Sequence, residues 1–198
     1  MKINSFGLCL CVIASLAGCA TQVVRKDPSE IIDLSGRWND SDAQMTAEEM
    51  IRECLQSAWL GKFNKAAGRD PVVITGTIVN RSHEHIDAGI FVEDISRVLI
   101  NSGKVRFVAS DLDRQEVRQE RLDQQENSAE ATRASLRQET GADFMLKGDI
   151  SSIKDEVKGR YAILYQVDLV LIDLTTNEKV WIGQKKIKKL VKNPKYSF

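Results

Sequence analysis

The chain has 198 residues, of which 28 are basic and 28 acidic, so its formal net charge at neutral pH is zero. Such a balance gives no overall field to attract nucleic acid, and we expect no nucleic-acid partner. A chain of this length can fold as one domain with a hydrophobic core of its own.

The chain begins MKINSFGLCLCVIASLAGCA, the pattern of a secretory leader. Its apolar run, residues 6–17, is too short for a stable bilayer span but suits a signal peptide. The run ends in LAGC, which resembles the lipobox of bacterial lipoproteins. The resemblance implies a signal peptide over residues 1–18 and lipid attachment at Cys19, where several acyl chains would anchor the protein stably. A plain signal peptide with a chance cysteine is the alternative.

Residues 19–33 are predicted to be the lipidated N-terminus and a short polar tether, because they show no hydrophobic period. Fully extended, residues 20–33 reach at most about 50 Å. Ala20 follows the cysteine and no Asp of the inner-membrane retention type is present. We therefore expect an outer-membrane, lipid-anchored protein that faces the periplasm, with a globular domain over residues 34–198.

The first periodic segment, residues 42–60, predicts a helix with its apolar side chains on one stripe. Thr46 and Glu49 could form its capping box, or Ser41 could begin the helix earlier. Cys54 lies on the stripe, and we expect a small buried hydrophobe rather than a nucleophile. It is also the only thiol outside the leader and the lipidation site, so no intramolecular disulfide is predicted.

The next segments alternate between strand and helix. The β-branched run PVVITGTIVN, residues 71–80, predicts a strand covered on both faces. Residues 87–102 predict a helix that Asp87 caps and Gly103 closes, and residues 104–109 predict a second strand. A strand, a helix and a strand at this spacing indicate a right-handed parallel crossover.

Residues 111–140 are polar and helix-prone. Their few apolar residues hold no clean stripe along a helix. Two interpretations stay open: a solvated pair of helices broken near Asn127 and Ser128, or a polar arm that docks on a partner.

The C-terminal third predicts three strands. ADFMLKGDISSI begins the first of them after Gly141, and YAILYQVDLVLIDL places alternate apolar residues on one face. The turn TTNEK then leads into VWIGQKKIKK, which predicts an antiparallel hairpin. The predicted fold class is α/β (α+β): a single domain with a mixed β-sheet of about four to five strands flanked by helices.

Catalytic motifs are not found in the sequence. It has no phosphate-binding glycine loop, no Gly-x-Ser-x-Gly elbow and no Cys–His pairing, so we predict no catalytic residue and no cofactor. His83 and His85 could chelate a metal, but a zinc site needs at least a third ligand; we predict no metal and prefer a polar loop. The last segment is rich in lysine, which we expect to block sheet-to-sheet addition at an edge strand, with polyanion binding as the alternative; the residues are Lys185, Lys186, Lys188, Lys189, Lys192 and Lys195.

Six stretches follow one another between residues 34 and 189: LSGRWND, VNRSHEHID, LINSGKVRFVA, GADFMLKGDI, YQVDLVLIDLTTNEKVW and KKIKK. This ordered set resembles the penicillin-binding protein activator LpoB family of outer-membrane lipoproteins. The resemblance implies a fold similar to the TolB amino-terminal domain. It also implies that LSGRWND opens the domain, with Trp38 closing one end of the core and Asn39 or Asp40 leading into the first helix.

The resemblance implies a regulator rather than an enzyme. Family members bind a class A penicillin-binding protein, a bifunctional peptidoglycan synthase, through its accessory domain, and stimulate glycan polymerisation and crosslinking. The alternative is a structural or assembly subunit of an envelope secretion or flagellar complex built on a related core. One departure is the tether, which is long and rich in Pro and Gln in well-known members and short here. No contact motif matches, so no partner-binding residue is predicted.

Overall fold

The computed structural model describes residues 23–27, 30–157 and 159–192. The predicted signal peptide and Cys19 therefore lie outside the described residues. The chain divides into two units, Met1–Ile31 and Ile32–Phe198. In the described part of the first unit, Lys26 and Glu30 form an ion pair of 2.9 Å.

The described part of the second unit contains four helices and five strands. The helices are α1 (Asp40–Gln56), α2 (Ala58–Ala67), α3 (Ala88–Asn101) and α4 (Asp111–Asn127). The strands are β1 (Val72–Asn80), β2 (Arg106–Phe107), β3 (Phe144–Val157), β4 (Arg160–Asp173) and β5 (Lys179–Lys192).

The strands form one mixed sheet in the order β2-β1-β3-β4-β5. β1 pairs in parallel with β2 and β3, while β3, β4 and β5 pair in antiparallel fashion. α1 packs against α3 and β5, and α3 also packs against β1 and β2. The predicted fold class, a mixed sheet flanked by helices, is confirmed.

The hydrophobic core lies between α1, α3 and one face of the sheet. The alternation in β4 is confirmed, because every second side chain is at most 1% exposed: Ile163, Tyr165, Val167, Leu169 and Leu171. The predicted place of Cys54 is also confirmed, since it is 2% exposed on the inner face of α1. This central part of the sheet holds the surrounding segments in fixed positions.

The first helix begins earlier than either predicted cap. Asn39 has an extended backbone and its side-chain oxygen accepts a hydrogen bond from the Asp42 amide at 2.9 Å. Asp42 returns the contact by accepting from the Asn39 amide at 3.1 Å, which completes a capping box. The caps predicted at Thr46 and Ser41 are therefore wrong, because both residues lie inside α1. The prediction that Asn39 or Asp40 leads into this helix is confirmed.

The predicted helix 42–60 is interrupted at Ser57, and α2 was not predicted as a separate element. Three donors converge on the Cys54 carbonyl, namely the Ser57 amide at 3.2 Å, the Ser57 hydroxyl at 2.8 Å and the Trp59 indole N–H at 2.8 Å. This carbonyl is thereby satisfied without a continuing helix. α2 then runs to Ala67 and closes at Gly68, whose φ of 65° suits glycine.

Residues 111–140, which we call the arm, contain one helix instead of the predicted pair. α4 ends at Asn127 with Ser128 as its C-cap, so the predicted break is correct, but residues 128–140 form no second helix. We call residues 128–140 the return segment. Side chains of α4 form hydrogen bonds to its backbone, in place of the bonds that a second helix would form within itself. Gln125 donates to the Ala134 carbonyl at 2.9 Å, and Gln124 accepts from the Ala134 amide at 2.8 Å.

Candidate functional site

Residues 33–39 form a strap across the ends of β4 and β5, and Gly36 is its closest approach to the sheet. A Cβ atom on Gly36 would lie 2.5 Å from Cγ2 of Val191 and 3.1 Å from the Tyr161 ring. The Gly36 carbonyl accepts a hydrogen bond of 3.1 Å from the Tyr165 hydroxyl, a contact between residues 129 positions apart. Glycine is required here because no side chain fits between strap and sheet.

Trp38 follows Gly36 and closes one end of the core, as predicted. Its ring makes edge contacts with Phe91, at 6.3 Å between centroids, and with Tyr165, at 5.6 Å. Its amide donates to Glu84 at 3.3 Å. Burial raises the pKa of Tyr165, and the nearby Glu84 carboxylate adds to the rise. LSGRWND is therefore the segment that joins α1 to the sheet.

A partly buried ion cluster fastens the strap to β5. Lys189 Nζ lies 2.7 Å from Asp33, 2.6 Å from Asp42 and 3.2 Å from the Arg37 carbonyl. Burial alone would lower the pKa of Lys189, but its hydrogen bonds to the two carboxylates outweigh burial and raise it. The hydrogen bond from Lys189 lowers the pKa of Asp33. Asp42 therefore serves both the helix cap and the sheet.

A polar cavity of about 610 Å³ lies beside the strap, lined in part by Arg37, Trp38, Lys154 and Tyr161 together with residues 83–85. The His83 Nδ1 atom lies 2.7 Å from the Ser152 hydroxyl, and its Nε2 atom lies 3.9 Å from Glu84. The Lys154 ammonium group sits 4.7 Å above the Tyr161 ring. These groups can hydrogen-bond a polar ligand or partner side chain.

The two histidines lie on the wall of this cavity, in the loop between β1 and α3, as the polar-loop interpretation requires. Among residues 23–27, 30–157 and 159–192, no group of three or more His, Cys, Asp or Glu side chains could hold a metal ion. Cys54 does not reach this cavity. Desolvation raises its pKa to about 12, which keeps its thiol protonated near neutral pH.

β5 is an edge strand, because it is the last strand in the sheet order. Its lysines point to both faces of the sheet. Lys186, Lys188 and Lys192 are exposed, which is the arrangement predicted for a protected edge. Lys185 and Lys189 turn to the helical face instead, where Lys185 pairs with Glu49 and Lys189 with the strap. Lys195 lies outside the described residues.

Sequence reasoning missed the role of Lys189 and the arginines of the arm. Period-two alternation in VWIGQKKIKKLV places Lys189 on the same face as Trp181, which was an available signal. Arg118 and Arg121 both bind Glu139, at distances of 2.8 to 3.0 Å. No pattern in the sequence indicates that pairing.

Within the described stretches, no helix combines the length and the apolar character needed to cross a bilayer. The cavity beside the strap and the arm both carry polar groups that could bind a partner.

Residues 42–187 match the family described as peptidoglycan-synthase activator LpoB. This match defines the class of protein, an envelope lipoprotein that activates peptidoglycan synthases. The region covers well over half of the chain, and the protein belongs to the LpoB family.

Solved structures similar to the chain include two LpoB domains. The C-terminal domain of LpoB from Salmonella enterica is 21% identical, with 65% of this chain and 91% of that chain covered and a TM-score of 0.34. The corresponding domain from Escherichia coli is 19% identical, with 66% and 98% covered and a TM-score of 0.37. Lipoprotein GNA1162 from Neisseria meningitidis is 13% identical, with 64% and 88% covered and a TM-score of 0.38. No curated protein matches the sequence.

Proposed function

We propose that this protein is an outer-membrane lipoprotein that binds a class A penicillin-binding protein and stimulates it, and so regulates peptidoglycan synthesis. The observation that carries the proposal is the match of residues 42–187 to the family of peptidoglycan-synthase activators. In this proposal residues 1–18 are a signal peptide, Cys19 carries the lipid, residues 19–33 are the tether, and the domain over residues 34–198 faces the periplasm.

The proposed action is binding without chemistry on the substrate, and it needs no cofactor. An activator raises the activity of its partner only if it binds the active conformation more tightly than the inactive one. A tenfold shift of that equilibrium requires about 1.4 kcal/mol of differential binding free energy. The strap and the Lys189 cluster hold residues 33–39 against β4 and β5, so this part of the domain is ordered before it meets a partner.

The decisive test is glycan polymerisation by purified class A synthases from the same organism, with and without the full chain in detergent. We expect a higher rate with the chain, saturating as the chain is titrated. A chain with Cys19→Ala is the matched control, since the purified assay should not require the lipid. No change in rate at saturating chain would reject the proposal. Oligomerisation of the chain without stimulation would favour the assembly subunit.

Metabolic labelling with a palmitate analogue tests the anchor separately. Labelled wild-type chain and unlabelled Cys19→Ala chain are the expected results, with the variant accumulating as an unprocessed precursor. Fractionation should place the wild type in the outer membrane. An unlabelled wild-type chain would remove Cys19 from the proposal and leave the question of synthase activation open to the polymerisation assay.

A further inference from the structure

The arm holds itself together rather than packing on the core. No residue of α4 is buried, and the return segment 128–140 folds back along the helix through side-chain contacts. A hydrogen bond of 3.4 Å from Arg106 to Thr140 links the end of the arm to β2. A solvated surface loop does not need this internal order, which fixes the positions of several arginines.

The inner side of the arm carries an excess of positive charge. Arg114, Arg118 and Arg121 follow at spacings of four and three, so they share one side of α4. All three act on Glu139 and lower its pKa, with the hydrogen bond from Arg118 as the largest cause. Arg137 comes to the same place from the return segment. Arg118 and Arg121 bind Glu139, while Arg114 pairs with Asp111 at 3.7 Å. With Arg137, this side of the arm carries four guanidinium groups and two carboxylates.

A cavity of about 530 Å³ opens between α4 and the return segment, lined by Arg118, Arg121, Leu122, Leu136, Arg137 and Glu139. Leu122 is 52% exposed and Leu136 is 43% exposed. The cavity therefore presents aliphatic side chains next to arginine groups. Arginine binds carboxylates through paired N–H donors, and Arg118 already shows that geometry with Glu139, at 2.9 and 2.8 Å.

We propose that the arm is the element that recognises the synthase, and that its cavity takes an acidic segment of that protein with an apolar side chain beside the carboxylate. This inference rests on the proposed function for the identity of the partner. An anionic bilayer fits the arm less well, because Glu116, Glu120 and Asp123 are exposed on the remaining surface of α4. A flat anionic surface would meet these acids, whereas a narrow peptide segment enters the cavity without touching them.

The test measures the affinity of the full chain for the synthase after substitutions in the cavity. Arg137→Glu and Leu122→Glu change exposed cavity residues that do not hold Glu139. We expect each to weaken binding at least about tenfold, because Arg137→Glu removes one charge-assisted contact and Leu122→Glu places a carboxylate beside the acidic segment. Val117→Glu is the matched control on the same helix, outside the cavity and 43% exposed, and Lys186→Glu is the control on β5. Both controls should stay within about twofold of the wild type, a difference of less than half a kcal/mol.

A peptide titration keeps the inference separate from the proposed function. The probe is a short synthetic peptide of alternating glutamate and leucine, and its counterpart with glutamine is the control. Saturable shifts of the Arg121 and Arg137 side-chain resonances with the glutamate peptide only would support the site, even if no class A synthase binds the chain. Wild-type affinity in both cavity variants, in a chain that does activate the synthase, would overturn the inference and leave the function intact. Arm-dependent binding to phosphatidylglycerol vesicles without peptide binding would also overturn it, in favour of a lipid surface.

Discussion

Replacing Lys189 by Met tests the cluster that fastens the strap to the sheet. The substitution leaves the Asp42 carboxylate, whose side chain is 5% exposed, without the ammonium group 2.6 Å away. Removing one partner of a buried ion pair costs about 3–5 kcal/mol. We expect the free energy of unfolding to fall by about 3 kcal/mol, the lower end of this range. The lower end applies because Asp42 still accepts a hydrogen bond from the Asn39 amide.

Lys185→Met is the matched control, because it changes the same residue type on the same face of β5. Its partner Glu49 has a side chain that is 56% exposed, and exposed pairs contribute about 0.5 kcal/mol or less. Urea unfolding followed by tryptophan fluorescence gives both values, provided that the slope with denaturant stays constant. Asp42→Asn and the double variant complete a cycle, in which we expect a coupling of about 1.5 kcal/mol or more between Lys189 and Asp42.

The pH dependence of the stability that Lys189 contributes gives an independent check. The pKa of Lys189 is raised above its ordinary value of 10.5, so its contribution is complete below pH 10.5 and is lost as the pH rises through the folded-state pKa. Lys189→Met should therefore remove part of the alkaline loss of stability. A loss of less than about 1 kcal/mol at neutral pH, or one equal to that of Lys185→Met, would refute the reasoning that burial makes this pair important.

Four further substitutions test local features of the fold. Gly36→Ala should cost about 1–3 kcal/mol of stability, because the added Cβ atom meets the sheet. Gly61→Ala in α2 should gain up to about 1 kcal/mol, because a Cβ atom there meets nothing within 4 Å. Urea unfolding measures both changes. Cys54 should resist alkylation until the chain unfolds, as read by peptide mass spectrometry, and Cys54→Ser should cost about 1–3 kcal/mol. Asp143→Asn should cost about 1 kcal/mol, because one amide oxygen cannot accept both from the Arg69 guanidinium and from the Val72 amide as the carboxylate does. Because the hydrogen bond from Arg69 lowers the pKa of Asp143 below 3.8, the variant should also show a smaller loss of stability than the wild type as the pH falls below that value.

The parts of the fold that could be predicted are those with a strong period. Alternation over fourteen residues in β4 can be satisfied only by a strand with one buried face, and the turn after it makes β5 its partner. Helix ends were less predictable, because Ser41, Thr46 and Asn39 all have side chains suited to capping. Which of the three caps the helix depends on where the strap leaves the sheet. That position is set by Gly36, where the strap lies closest to the sheet.

Long-range polar pairs could not be predicted from local pattern. Lys189 and Asp33 are 156 positions apart and meet only after the sheet has formed. In the arm, Arg118 and Glu139 are 21 positions apart, and many charged residues of that segment could have paired instead. The predicted strand at 104–109 shortened to Arg106–Phe107, because only these two residues pair with β1.

The length of the tether gives the last prediction. A flexible chain spans about 5–6 Å times the square root of its length, so a flexible tether as long as residues 20–33 would have a root-mean-square span of about 20 Å. If Cys19 anchors the chain in the outer membrane, as proposed, such a tether would hold the domain close to that membrane and make an inner-membrane synthase hard to reach. Inserting a flexible polar segment after Pro28 should therefore preserve or raise function in cells, and deleting residues 22–30 should lower it. Stimulation of the purified synthase by either variant should equal that of the wild type, because in that assay no anchor holds the chain at a distance from the synthase. A different result would indicate an assembly subunit that must lie close to the outer membrane. In that case the longer tether would lower function in cells, and no form of the chain would stimulate the purified synthase.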